Sequence, residues 1–197
     1  MGLGRCSWVT QDADYIAYHD THWGRPVTDS RELFEKLCLD GQQAGLSWLT
    51  ILKRTPGYRR AFANFDPARI AGFGEAEVTQ LLQDSGIIRH RLKIEAIIKN
   101  ARAYLAMEAE GIDFAAFLWS FVGGKVKVNH WQSVSEAPTS SPESDAMAKA
   151  LKKRGFSFVG TTICYAFMQA VGMVNDHQSA CPCHAECVAL AEEKHLL

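Results

Sequence analysis

Residues 175–187 read Asn-Asp-His-Gln-Ser-Ala-Cys-Pro-Cys-His-Ala-Glu-Cys and hold two histidines and three cysteines. Imidazole and thiolate are the side chains that borderline-soft metals such as zinc prefer. His177 and Cys181 stand in a His-x3-Cys spacing that suits one helical turn or a compact loop. No second cluster flanks them, so further ligands would have to arrive from distant parts of the chain. Cys183, His184 and Cys187 offer alternative donors, or else lie unengaged in a mobile tail.

A second stretch points to phosphate. Ser85-Gly86-Ile87-Ile88-Arg89-His90-Arg91-Leu92-Lys93 turns on a glycine and then starts a helix whose exposed backbone N–H groups lie among cationic side chains. Residues 89–102 carry five Lys or Arg against one acid, Glu95. An ordinary helical hairpin with a solvated charged face explains that stretch equally well.

Around these residues the chain must supply a body. Its 197 residues, 47% hydrophobic and 22% charged, suit one compact domain with a real core. A formal charge of −1 gives no global field toward nucleic acid or membrane, so a polyanion would have to meet a local patch. The N-terminal residues lack the apolar run of a signal peptide, and six cysteines spread from Cys6 to Cys187 do not resemble a secreted disulfide lattice. A cytoplasmic protein with reduced thiols is expected. The 21 residues between Arg154 and Asp176 carry no formal charge, but Gly155, Gly160, Gly172, Thr161, Thr162 and Gln169 make them a poor membrane span and a good buried helix.

The punctuation is helical. Asp29 before Leu33, Phe34, Leu37 and Cys38 predicts a helix of about ten residues. Asp66-Pro67 opens a short helix stopping near Gly72. Val78, Leu81 and Leu82 mark another, ended by Gly86 as a left-handed cap. After Ile87-Ile88-Arg89 comes a helix with Ile94, Ile97, Ile98, Ala101, Tyr104 and Leu105 on one face. Asp113 caps residues 114–121, Ser140 or Ser141 opens a helix running to Gly155, and the uncharged stretch supplies the last long helix. Residues 123–138 read as an irregular connection, with Lys125 to Val128 briefly extended. Cys38 and Cys164 read as buried hydrophobes.

Ordered motifs now add a resemblance. They are Cys6-x-Trp8-Val9, Tyr18-His19-Asp20 with Trp23-Gly24, Gln43-Ala44-Gly45-Leu46-Ser47-Trp48, Gly86-Ile87-Ile88-Arg89-His90-Arg91, Lys152-Lys153-Arg154-Gly155-Phe156 before Phe158-Val159-Gly160, and Val174-Asn175-Asp176-His177. In these the chain resembles, over nearly its whole length, the type I 3-methyladenine-DNA glycosylases of the helix-hairpin-helix superfamily. The resemblance implies an all-α fold. It would be a single compact helical domain over 1–197, with a helix-hairpin-helix element at about 76–105. One structural zinc would join the end segments at about 1–24 and 174–187, held by Cys6, His19, His177 and Cys181. Two thiolates and two imidazoles close a tetrahedral site and leave no position for an activated water.

The implied reaction is hydrolysis of the N-glycosidic bond of 3-methyladenine in alkylated double-stranded DNA after base flipping. Methylation at N3 makes the base cationic and a good leaving group. Trp48, Tyr18, Trp8, Tyr15 and Trp23 would supply electron-rich faces for it, although Tyr15 and Trp23 read equally as core. Asp40, the catalytic candidate, would recognise the base edge. Family members often have glutamate there, so this chain is one methylene shorter, and Asp40 reads otherwise as a cap for the turn after it. Gln42, Gln43, Gly45 and Leu46 resemble the loop that fills the space left by the extruded base, with Leu46 as the wedge. Gly86, Ile88, Arg89, Arg91 and Lys93 of the hairpin, with the basic run 149–154, would grip phosphates.

The region around Asp113 and Lys125 shows no counterpart of the superfamily's catalytic aspartate or nucleophilic lysine, so a monofunctional, monomeric enzyme without a membrane partner is expected. Two readings compete with it: a zinc-stabilised helix-hairpin-helix DNA-binding module without catalysis, and a zinc hydrolase, which a closed four-ligand site disfavours.

Overall fold

The computed structural model describes residues 4–193. Met1 to Leu3, part of both the signal-peptide reading and the zinc-tethered end, lie outside them, as do the last four residues of the chain. The chain enters α1 (Ala13–Thr21) through Asp12, whose side chain accepts from the Asp14 and Tyr15 amides, donors that a helix start leaves unpaired. Asp29 does the same for α2 (Ser30–Gln42), accepting from Arg31 and Glu32 at 2.9 Å. A turn over residues 43–47, with Gly45 at φ +77°, leads into α3 (Trp48–Ala61), capped by Ser47. Asp66 and Pro67 open α4 (Pro67–Ala71), which closes at Gly72 as expected, and α5 (Glu75–Leu81) follows. Residues 82–90 connect it to α6 (Arg91–Ala109).

Asp113 caps α7 (Phe114–Trp119), and a short 3-10 turn continues it to Val122. After β1 (Lys127–Val128), Ser141 caps α8 (Pro142–Lys153) and α9 (Thr161–Ala170) follows. The chain then passes β2 (Val174–Asn175) and ends in α10 (Pro182–Glu193). The strands pair in parallel, Lys127 with Val174 and Val128 with Asn175. That pairing fixes the segment that carries Asp176 and His177.

The all-α expectation holds apart from these two short strands. At the centre lies α2, packed by α3, α6, α7 and α9, with Leu33, Phe34, Leu37, Cys38 and Leu39 buried. At roughly 1.5–3 kcal/mol for each large apolar side chain taken from water, this helix anchors the core. Cys38 and Cys164 are buried in it as expected. No helix among the described residues is long and apolar enough to cross a membrane.

Three expectations need correction. Gly86 is not a left-handed cap: α5 ends at Leu81 with Leu82 as its cap, and Gly86 lies further along the connector without positive φ. Its role is close approach, because a Cβ on Gly57 of α3 would lie 2.2 Å from the Gly86 carbonyl oxygen. Gly57→Ala is therefore expected to destabilise the protein by about 3 kcal/mol, as overpacking against backbone that cannot yield does; urea unfolding checks it. The uncharged stretch forms a helix only over Thr161–Ala170, and it is not the last one. Finally, Cys183, His184 and Cys187 are not in a mobile tail but buried on α10. There His184 Nε2 lies 2.7 Å from the Asn129 carbonyl, and the His184 carbonyl accepts from Asn175 Nδ2 at 3.0 Å.

Candidate functional site

Cys6, His19, His177 and Cys181 converge, all buried, with one ligand atom from each within 4.8 Å of the others. His19 comes from α1, Cys6 from the segment before it, and His177 and Cys181 from the compact loop between β2 and α10. Cys6 Sγ lies 3.4 Å from His177 Nδ1, and Cys181 Sγ lies 3.6 Å from His19 Nε2 and 3.8 Å from His177 Nδ1. Metal–sulfur and metal–nitrogen bonds of about 2.3 and 2.0 Å in a tetrahedron place S and N about 3.5 Å apart. The cluster has the dimensions to hold one ion.

The surroundings fix both rings for that task. His177 Nε2 is 3.0 Å from the Trp23 carbonyl, which can only accept, so Nε2 carries the proton and Nδ1 turns its lone pair to the sulfurs. Burial pushes the His177 imidazole down to about 4, toward the neutral form that ligation needs. His19 Nδ1 is 2.7 Å from Asp20 Oδ1, and Arg5 grips the same carboxylate at 2.8 Å and holds it down to about 2. Gly24 makes the site possible: a Cβ there would sit 2.7 Å from His177 Nε2, and its φ of +81° suits glycine. Cys183 joins only a second grouping with His19 and Asp20, whose carboxylate Arg5 already engages.

Beside the cluster, and sharing a wall with it, is a cavity of about 230 Å³. Trp8, Tyr15, Tyr18, Trp23 and Trp48 all line it together with Asp40. The Trp23 ring meets His177 edge-on at 4.6 Å and Trp8 at 5.0 Å, so Trp23 serves pocket and cluster at once. Tyr18 on α1 and Trp48 at the start of α3 tilt toward each other, 5.5 Å between centroids. Asp40, on the last turn of α2, is 3% exposed, and burial pushes its carboxyl up against the opposing pull of Lys36. Its Oδ1 pairs with Lys36, while its Oδ2 and the Trp48 Nε1 have no hydrogen-bond partner among the described residues. Two residues lining one cavity thus each carry a buried polar atom with unspent hydrogen-bonding capacity.

Several residues facing this cavity escaped the sequence reading. Lys36 sits one turn before Asp40, and that i,i+4 spacing was the available signal. Its ammonium lies 3.6 Å from the Trp48 ring centroid. Asp176 also lines the cavity, its two oxygens accepting from Asn129, Trp131, Tyr165 and Gln169 at 2.6–2.9 Å. In the sequence it stands beside His177 in Val174-Asn175-Asp176-His177.

Among the expected DNA contacts, Gln43, Gly45 and Leu46 lie in the turn before α3, with Leu46 40% exposed. Gln42 does not: it is 1% exposed, donating to the Lys93 carbonyl at 3.0 Å and accepting from Tyr58 Oη at 3.0 Å. Lys93 likewise is not a free phosphate ligand. It is buried, and its Nζ donates to the Gln42 and Ala44 carbonyls at 2.8 and 2.7 Å. The two residues brace the turn against α6. The Gly86 and Ile88 amides donate to Asp84 Oδ1 and Tyr58 Oη, which closes the backbone cradle expected there. Arg89 is exposed, and exposed Arg91 is held by Glu75 and Glu95.

The fold as a whole matches solved DNA glycosylases. The structure superposes on a crystal structure of 3-methyladenine DNA glycosylase I with a TM-score of 0.91 and 63% identity, covering 91% of this chain and 99% of that one. A variant of 3-methyladenine DNA glycosylase I in complex with 3-methyladenine gives 0.86 and 38%, over 90% and 96%. The DNA-3-methyladenine glycosylase 1 of Escherichia coli (strain K12) is 60% identical over 182 residues, 92% of this chain and 97% of that protein. The family model described as methyladenine glycosylase matches residues 8–184. The chain belongs to the methyladenine glycosylase family.

Proposed function

We propose that this protein is a monofunctional DNA glycosylase that takes 3-methyladenine out of alkylated duplex DNA and hydrolyses its bond to deoxyribose. The observation that carries the reading is the cavity that Trp48, Tyr18 and the buried carboxylate Asp40 line together. The flipped base stacks between Trp48 and Tyr18, and Asp40 accepts from its exocyclic amine and compensates its charge. As the bond to C1′ breaks, its electron pair returns to the ring and neutralises the methylated base, so no acid is needed. Water adds to the sugar cation and gives its spare proton to solvent. The open turn brings Leu46 to the gap in the stack, and Arg89 and Arg91 approach the phosphates, the latter by exchanging its acidic partners. The segment 75–109 acts as the helix-hairpin-helix element, and the protein works as a monomer.

Cys6, His19, His177 and Cys181 hold one structural zinc. The support is the chemistry of the donor set: two thiols, two oriented imidazoles and the spacing a tetrahedron requires. The ion joins the first helix to the last loop, closing a chain segment of well over a hundred residues.

The test is release of free 3-methyladenine from methylated DNA, measured for the native protein and for Asp40→Asn. Native release with a drop of about tenfold to a hundredfold in Asp40→Asn is expected, the range for losing a charged partner of the reacting group. DNA binding without release would instead identify a binding module, and an unaffected Asp40→Asn would remove Asp40 from the reaction.

A further inference from the structure

Lys36 occupies the place that the proposed function reserves for the base. Its ammonium lies 3.6 Å from the Trp48 ring centroid and 5.8 Å from that of Tyr18, and it pairs with the one oxygen of Asp40 that has a partner. A purine stacked on Trp48 and read by Asp40 needs the same space and the same carboxylate. The side chain also has somewhere else to go. A second cavity of about 650 Å³ adjoins the first, and Tyr18, Lys36, Trp48 and Ala170 line both, so Lys36 belongs to the wall between them. Glu32, one helical turn before Lys36 on α2, lines the second cavity, and its carboxylate has no partner among the described residues. The neighbouring Glu35 is already held by Arg59 at 2.7 Å.

We propose that Lys36 is an internal stand-in for the cationic base, which leaves Asp40 and Trp48 for Glu32 when the base enters. The inference rests on the base-pocket reading and gives it a specificity-determining residue. The exchange keeps charge balanced at each end. Asp40 trades one cation for another, and Lys36 finds a carboxylate one turn away along its own helix. Between turnovers the lysine fills the aromatic slot and opposes the upward push of burial on the Asp40 carboxyl. It also makes every ligand compete with a tethered cation. A base carrying positive charge restores what Asp40 loses, whereas a neutral base leaves the buried carboxylate uncompensated.

The probe is 3,9-dimethyladeninium, a permanent cation whose N9 methyl stands for the sugar carbon, titrated by calorimetry. Lys36→Met is expected to bind it about tenfold more tightly than the native protein, because no internal cation must be expelled. Glu32→Gln, which removes the alternative seat, is expected to bind it about threefold more weakly, and the double variant should match Lys36→Met alone. Equal or weaker binding by Lys36→Met, or a Glu32→Gln effect that persists without the lysine, would overturn the exchange. Lys36→Gln repeats the test should the methionine variant fold poorly. Probe binding that Trp48→Ala leaves intact, or none by any form, would instead strike the base-pocket reading itself.

Discussion

Trp48→Ala is expected to lower the single-turnover rate of 3-methyladenine release from methylated DNA about a hundredfold, since base–aromatic stacking is worth roughly 1–3 kcal/mol and a cationic base adds attraction to the ring face. The Lys36 ammonium already sits 3.6 Å from the Trp48 ring centroid, so this face of the cavity is one that a cation takes up. Only the indole meets the ammonium at stacking distance; the Tyr18 ring is 2 Å further off. Loss should therefore be greater for Trp48→Ala than for Tyr18→Phe, which keeps the face. Because Trp48 begins α3 and is only partly buried, the variant should remain folded, which circular dichroism verifies. A rate within threefold of native would remove Trp48 from the pocket.

Stripping the metal should have the second large effect. Structural zinc contributes apparent free energies of roughly 10–16 kcal/mol in small modules, comparable with the roughly 5–15 kcal/mol that separates a whole domain from its unfolded state. Here the core around α2 stands apart from the cluster, so the loss will be partial, about 3–5 kcal/mol. At about 2–4 °C per kcal/mol for a chain of this size, Tm is expected to fall by about 6–20 °C on treatment with a strong chelator. Cys181→Ser should do the same and bring bound zinc from one per chain to none. Cys183→Ser should keep the ion, because Cys183 belongs only to the grouping that needs the Asp20 carboxylate held by Arg5. Zinc retained in Cys181→Ser and lost in Cys183→Ser would exchange their roles.

How far these elements could be read in advance depended on where their determinants lie. Helices announced by a local cap were legible: Asp29, Asp66, Asp113 and Ser141 each accept from amides of the following turn. Helix α3 was not, because Pro56 and Gly57 fall in its middle and read as breakers, whereas the glycine is there to admit the backbone of Gly86. Helix α10 is hard to read locally because Cys183, His184 and Cys187 also fit a metal-ligand pattern, although Pro182 stands where a helix accepts proline, in the first turn. The pocket aromatics and the four convergent ligands were readable through ordered motifs. Gln42 and Lys93 were misplaced for a tertiary reason. Nothing local distinguishes them from surface residues, and the bonds that bury them join positions 51 residues apart. Lys36 was missed although its spacing to Asp40 was visible, because a lysine on a helix is ordinarily solvated.

The Trp23 indole faces the cavity on one side and touches the ring of His177 on the other, while its own carbonyl orients that ring. A base seated against this indole and a zinc held by the four side chains behind it would each favour the other's binding, since such coupling is reciprocal. Oxidation of Cys6 or Cys181 is then expected to blunt damage recognition several ångströms away, and a nucleobase in the slot to slow the escape of bound zinc.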